Sequence, residues 1–361
     1  MTNQRRNLMF KKIVLGIAVV VAVIIALLAA FIGFLTITEY RPDPVEDASI
    51  HFTSSEADAV EMDEEFTVYS WNIGYGGLGK ESDFFMDGGA MVNPPSEQAI
   101  DDNLMGIANF INDSDADAWL IQEVDLNSAR TENVNEVGLL QEFAGNNGAF
   151  AYNYNCKFVP IPWPPMGRVE SGVATYTDNK LIDIPERMAL PCPFKWPVSA
   201  ANLKRCTLVS RVQLEDSDKE LVLVNLHLEA YDDGEGKIAQ TNQLISLLTE
   251  EYEKGNYVIA GGDFNQSFPG ALDKYPVQDP ELWTPGVLEN SILPEGWSFA
   301  CDVQNPTCRL LDRPYDGTNQ LYVIDGFIVS PNVNINSVKT IDLGFEHSDH
   351  NPVELKFDFV R

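Results

Sequence analysis

Basic residues are scarce in this sequence, where 24 Lys and Arg stand against 54 Asp and Glu in 361 residues. Four of the basic residues, Arg5, Arg6, Lys11 and Lys12, come before the first acidic one, Glu39. The chain after Lys12 therefore holds 20 basic residues (24 less 4) against 54 acidic ones, a net of −34. Such a field repels polyanions and attracts divalent cations. It argues against tight, sequence-independent binding of nucleic acid through a basic surface. It does not exclude a small phosphate ester held locally.

Cysteine is scarce too. The five are Cys156, Cys192, Cys206, Cys301 and Cys308, with no CxxC pair and no Cys/His cluster, so nothing points to zinc. The odd count leaves at least one thiol unpaired in a monomer. Cys301 and Cys308 are near enough in sequence to close a loop, and Cys192 and Cys206 flank a Pro-rich stretch. An oxidising exterior permits such bridges, with buried free thiols as the alternative. No internal repeat is visible.

Charge is absent from Ile13 to Ile37, an apolar run of about 25 residues where a membrane-spanning helix needs roughly 20. The basic residues before it and Glu39 after it set the orientation by the positive-inside rule. The expectation is a cytoplasmic N-terminus over 1–12, a retained single-pass anchor over 13–37 in the cell membrane, and everything beyond exported. A removable signal peptide has a shorter apolar region of about 7–15 residues. Residues 38–63, with Arg41-Pro42-Asp43-Pro44 and many acidic and small residues, read as a linker. Residues 64–361 read as one folded domain, which the 45% apolar content of the chain supports.

Within that domain, period-two and buried runs predict strands. They fall at Glu65–Trp71, Ala118–Gln122, Ala149–Asn155, Gly172–Thr177, Thr207–Leu214, Glu220–Leu228, Tyr257–Gly262, Tyr322–Val329, Asn334–Asp342 and Val353–Phe359. Helical spacing marks Gln98–Asn112, Val134–Phe143 and Ile238–Tyr252. Many strands with few helices favour two sheets packed face to face with helices outside, an α+β arrangement. Met86–Pro95 and Val159–Met166 read as surface loops near one rim.

Polar groups recur where these strands end. They are Asn72 after Trp71, Glu123 after Gln122, His227 in Asn225-Leu226-His227-Leu228, Asp263 and Asn265 in Gly262-Asp263-Phe264-Asn265, Asp325 after Ile324, and Asp349-His350 after Ser348. Each alone is ordinary turn chemistry. Together, on one rim, they form a set of hard oxygen ligands with two imidazoles, suited to Mg²⁺, with Mn²⁺ or Ca²⁺ also possible.

The ordered series Trp-Asn, Gln-Glu, Asn-Leu-His-Leu, Gly-Asp-Phe-Asn, Ile-Asp and Ser-Asp-His resembles the endonuclease/exonuclease/phosphatase (DNase I-like) superfamily over residues 64 to 360. The resemblance implies a four-layer α-β-β-α sandwich, here preceded by one transmembrane helix, and divalent-metal-dependent hydrolysis of a phosphate ester. It implies that Glu123 is the principal metal ligand, with Asn72 and Asp349 beside it. It makes Asp263 the residue that positions water or shares the metal, and Asn265 a donor to a phosphate oxygen. His350 acts on the water or the phosphorane with Asp325 fixing its tautomer, and His227 is the second imidazole. Glu170, before Ser171-Gly172, is expected to pair with His227 and favour its protonated form.

The substrate stays open among lipid, nucleotide, inositol phosphate and nucleic acid, because specificity lies in rim loops. An extracellular nuclease is one alternative; a catalytically silent surface binding module is another. Trp163 is expected as a core anchor. Arg130, Arg168 and Arg187 are either phosphate clamps or ordinary surface charges.

Overall fold

Twice along the chain an apolar strand is followed by an amphipathic helix and a second apolar strand, and each unit nucleates one sheet. The computed structural model describes residues 3–232 and 234–360. Its helices are α1 Asn3–Ile37, α2 Glu97–Asp113, α3 Glu136–Ala144, α4 Glu235–Glu253 and α5 Ala271–Lys274. The first ten strands are β1 Val45–Asp47, β2 Ile50–Phe52, β3 Phe66–Asn72, β4 Ala118–Asp125, β5 Asn147–Val159, β6 Gly167–Thr177, β7 Glu186–Ala189, β8 Cys206–Gln213, β9 Glu220–His227 and β10 Tyr257–Asp263. The rest are β11 Gln266–Ser267, β12 Gly286–Val287, β13 Ser298–Ala300, β14 Cys308–Arg309, β15 Leu321–Tyr322, β16 Asp325–Val329, β17 Val333–Thr340 and β18 Val353–Phe359.

One seven-stranded sheet has the order β1-β7-β8-β9-β10-β16-β13, the other β17-β18-β3-β4-β6-β5-β2. Pairing is antiparallel except at the centre of each sheet, where β9/β10 and β3/β4 run parallel. A parallel pair needs a crossover, which α4 and α2 supply. The α2 start is capped by Ser96, whose hydroxyl accepts from Ala99 N at 3.1 Å. Its Ile100, Leu104, Ile107 and Ile111 share one buried face against Trp71 and Trp119.

Val68, Leu120, Leu223, Ile259, Phe327 and Leu355 fill the space between the sheets. Val222, Val224, Leu244, Leu248 and Val258 form the layer under α4. Each such side chain contributes about 1.5–3 kcal/mol by burial. The result is the expected α-β-β-α sandwich. Its central strands β3 and β10 are buried along their whole length, because both faces are covered.

Several expectations need correction. Residues 38–63 are not a free tether: β1 pairs with β7 and β2 with β5, so this segment edges both sheets. The run Tyr322–Val329 is two strands, because Thr307 Oγ1 accepts from the amides of Ile324 and Asp325 at 3.0 and 3.1 Å and turns the chain between partners. All five cysteines are free. Cys301 and Cys308 lie on either side of a loop and Cys206 faces Asn153, whose Oδ1 is 3.2 Å away, so neither expected bridge forms. Trp163 is 87% exposed, not a core anchor.

Helix α1 is long and apolar enough to cross a membrane, with mean hydropathy 3.3 over its apolar window. Its last turns lie on the domain. Phe31 meets Phe158 edge-on, Leu35 is buried, and Trp196 Nε1 donates to Thr36 Oγ1 at 3.0 Å.

Candidate active site

The two parallel strand pairs point their carboxyl ends to one rim. Open sheets collect ligands at such ends, because side chains there leave the ladder and converge. Asn72 ends β3, and β4 carries Gln122 opposite it; His227 ends β9 and Asp263 ends β10, paired with each other and with Asp325 of β16. Gly262 lets these strands meet, since a Cβ there would lie 1.9 Å from the Leu226 carbonyl oxygen. The two sheets are tied just beneath the rim, where Gln122 Nε2 donates to Asn225 Oδ1 at 2.8 Å.

Glu123 owes its position to an irregularity. The β4/β6 register shifts between Gln122 and Val124, and Glu123 takes a left-handed conformation at φ 54°. A bulge re-aims the side chain out of the ladder. Asn72 Nδ2 then donates both to Glu123 Oε1 at 3.2 Å and to Asp263 Oδ2 at 3.1 Å.

Both imidazoles converge on Asp263. Its Oδ2 lies 3.5 Å from His227 Nε2 and 3.8 Å from His350 Nε2. His350 Nδ1 is 2.9 Å from Asp325 Oδ2, and His350 Nε2 is 3.8 Å from Asp349 Oδ2. The Ser348 hydroxyl fixes this turn by donating to Asn72 O at 2.8 Å and accepting from His350 N at 3.1 Å. Asn265, at φ 51°, donates its backbone N–H to Asp263 Oδ1 at 2.8 Å and its Nδ2 to Leu228 O at 2.9 Å.

Burial sets the electrostatics. It pushes Asp263 up to about 7, helped by the Asp325 charge, and Asp349 up to about 6. Burial alone would lower His350, but the charges of Asp325, Cys308 and Asp349 and the hydrogen bond to Asp325 together hold the imidazole well above its ordinary value. His227 goes the other way, pushed well down by burial and by the neighbouring Arg205 and His350 charges.

The Endonuclease/Exonuclease/phosphatase family model matches residues 69–350. The chain belongs to this family.

Solved members share its DNase I-like fold. An endonuclease/exonuclease/phosphatase from Beutenbergia cavernae superposes with TM-score 0.55 at 14% identity, covering 82% of this chain and 72% of its own. A family protein from Leptotrichia buccalis gives 0.52 at 16%, covering 81% and 100%, and one from Bacteroides vulgatus 0.51 at 14%, covering 82% and 100%. No curated protein matches the chain.

Within this endonuclease/exonuclease/phosphatase domain the site floors a cavity of about 590 Å³. Glu123, His227, Asp263, Asn265, Asp349 and His350 line it, while Asn72 and Asp325 hold those groups from outside the lining. Glu170 is not brought in: it pairs with Lys157 at 3.2 Å, and the carboxylate beside His227 belongs to Asp263. The expected Glu170–His227 pair is therefore absent, and with it the expected protonation of His227. Instead Arg205 donates to His227 O and is paired with Glu229, both at 3.2 Å.

Of the three arginines considered as clamps, Arg130 alone lines the cavity, bidentate on Asp125 at 3.0 and 2.9 Å and stacked 3.4 Å from the Tyr75 ring centre. Arg187 is a buried strut to Tyr152 O and Lys204 O, and Arg168 braces Asn127 and Asn133. Tyr231 and Asp87, joined at 2.8 Å, and Cys308 also line the cavity; no local pattern announces them. Glu229, two residues past His227, follows a strand end and was open to the same logic as its neighbours.

Proposed function

We propose that the chain is a metal-dependent phosphoric ester hydrolase, a phosphodiesterase or phosphatase, anchored by α1 with its catalytic domain on the outer side of the membrane. Family membership supports phosphoester hydrolysis, the chemistry that the family description names. The observation that carries the reading is the meeting of Glu123, Asp263, Asp349, His227 and His350 in the lining of one cavity. The basic residues ahead of α1 support the orientation.

A divalent cation fits this donor set. Carboxylates raised toward neutrality by burial and by one another are short of positive charge. Glu123 and Asp349 would hold the ion, with Asn72 bracing Glu123 through its Nδ2. Asp263, Asp325 and His350 also bring ligand atoms within 4.8 Å of one another, but Asp325 and His350 are already engaged with each other. The all-oxygen set suits Mg²⁺. Once bound, such an ion offsets phosphate charge in the transition state.

The protein groups divide the remaining work. Asp263, poised near neutral, accepts the proton of the attacking water as its oxygen bonds to phosphorus. The bond to the leaving oxygen breaks on the opposite side, where solvent water supplies the proton that oxygen needs, while protonated His350, beside Asp263, offsets the phosphorane charge. Asp325 keeps Nδ1 of His350 occupied, so that Nε2 faces the cavity. Neutral His227 donates a hydrogen bond to a phosphate oxygen. No side chain need form a covalent intermediate.

The test is turnover of bis-p-nitrophenyl phosphate by the full-length protein in detergent, with Mg²⁺ or with EDTA. Hydrolysis that EDTA abolishes is expected. No hydrolysis across a panel of phosphoesters and metals would leave the silent binding module instead.

A further inference from the structure

The cavity has two chemically different ends. Its floor is the acid–imidazole cluster; another part of its lining is apolar, formed by Phe84, Val159 and Met166 together with Ile32 and Leu35 of α1, and the exposed Met86 and Ile161 mark its mouth. The anchor helix is thus part of the enclosure. It is also fixed there, because besides the Phe31–Phe158 and Trp196–Thr36 contacts, Lys204 pairs with Glu39 at 3.0 Å just beyond the helix.

The level of this mouth follows from length. From Ile13 to Phe31 a helix rising 1.5 Å per residue covers about 28 Å, close to the ~30 Å hydrocarbon thickness of a bilayer. Ile32 to Ile37 then lie at the headgroup level, and the mouth lies there with them. The exposed groups that suit that level include Ile161 and Val198, which line the cavity, and Trp163 and Trp196, each two residues from one of them in the chain. Ile161 is 74% exposed, Trp163 87%, Trp196 61% and Val198 58%. Large apolar groups gathered at one rim mark an interaction surface, and tryptophan is enriched where membrane meets water.

An apolar passage ending in a phosphate-type floor is complementary to an amphiphile. We infer that the substrate is a phospholipid of the bilayer that anchors the enzyme. It enters where Ile32, Met86 and Ile161 line the cavity, with its acyl chain against Ile32 and Leu35 and its phosphate toward His350. The net charge of −34 beyond Lys12 favours a zwitterionic headgroup over an anionic one. This substrate class rests on the phosphoesterase reading for its chemistry, but not for its occupancy.

The experiment uses full-length protein in phosphatidylcholine vesicles doped with phosphatidylcholine bearing a photoactivatable acyl chain. Adducts mapped by mass spectrometry are expected on 84–86 and 158–166 as well as on α1, and Leu35→Trp, which fills the passage, is expected to reduce the loop adducts at least fivefold. Adducts confined to residues 13–31 of α1 would overturn the inference. A second arm compares Trp163→Ser with wild type. Release of phosphate or headgroup from the vesicles is expected to fall at least tenfold more than turnover of bis-p-nitrophenyl phosphate; an equal fall in both would count against it. Turnover of the soluble ester without loop adducts sinks the lipid alone; loop adducts without any turnover sink the hydrolase reading and leave a lipid-binding site.

Discussion

Gln122 and Asn225 stand on opposite sheets, both fully buried, and a 2.8 Å hydrogen bond joins them beneath the floor of the cavity. Asn225 also donates to the carbonyls of Ile121 and Ala174 at 3.1 and 2.8 Å. Removing one partner of a buried pair leaves the others unsatisfied, at about 1–3 kcal/mol per group. Asn225→Ala is therefore expected to lower unfolding stability by roughly 2–4 kcal/mol and to reduce turnover by shifting β4 against β9. Urea unfolding followed by fluorescence measures the first; a loss below 1 kcal/mol would mean that the pair does not align the sheets.

The same reasoning gives Asp325 a positioning role through His350. Asp325→Asn keeps the shape and removes the charge. We expect kcat about 10²–10³-fold lower with KM little changed. The carboxylate raises His350, so its loss should also move the alkaline limb of the kcat profile to lower pH. A uniform loss at all pH values, with no movement of that limb, would argue for a merely structural part.

Metal binding has a readout in stability. Asp263 is raised from 3.8 to about 7 and Asp349 from 3.8 to about 6. For a raised carboxyl the stabilising contribution is complete below 3.8 and is lost as pH climbs through the folded value. EDTA-treated protein should therefore lose melting temperature between pH 5 and pH 8 from these groups. Added Mg²⁺ competes with their protons, so its stabilising shift should be larger at pH 8 than at pH 5. Equal shifts at both values, by differential scanning fluorimetry, would contradict a site on these carboxylates.

Acid stability has a different source, where α4 packs on β8. Burial would raise Glu251, but Arg211, in two contacts of 2.8 and 2.7 Å, with Lys254 and Asn256, draws it down to about 2. A depressed carboxyl contributes above its unfolded value of 4.5 and fades as pH falls toward 2. Glu251→Gln should remove about 1–2 kcal/mol of stability at pH 6, after allowance for solvent screening, and progressively less below pH 4. Acid titration of the two proteins checks whether their curves converge.

What the sequence discloses follows from how local each cause is. Asn72, His227 and Asp263 are legible because each closes an apolar strand, and both βαβ units show in the change of period from strand to helix. The bulge that aims Glu123 depends on its register with β6, which no local pattern states. Glu170 fails for a related reason: its partner is settled by the β5 strand beside it, where Lys157 waits. β1 pairs Val45 with Met188, a contact across most of the domain made by a three-residue charged strand, so composition reads it as linker. Likewise hydropathy reports that α1 is apolar but not that Ile32 and Leu35 enclose a cavity.

The short segment from Val45 to Phe52 clasps one sheet with β1 and the other with β2. A soluble fragment begun at Glu64, where composition puts the start of the folded domain, would strip one edge strand from each sheet. It would leave the long β5 and the short β7 with open edges that invite self-association. Any truncation meant to release this domain from its helix should therefore be cut ahead of Pro44, and tension on α1 would reach both halves of the sandwich together.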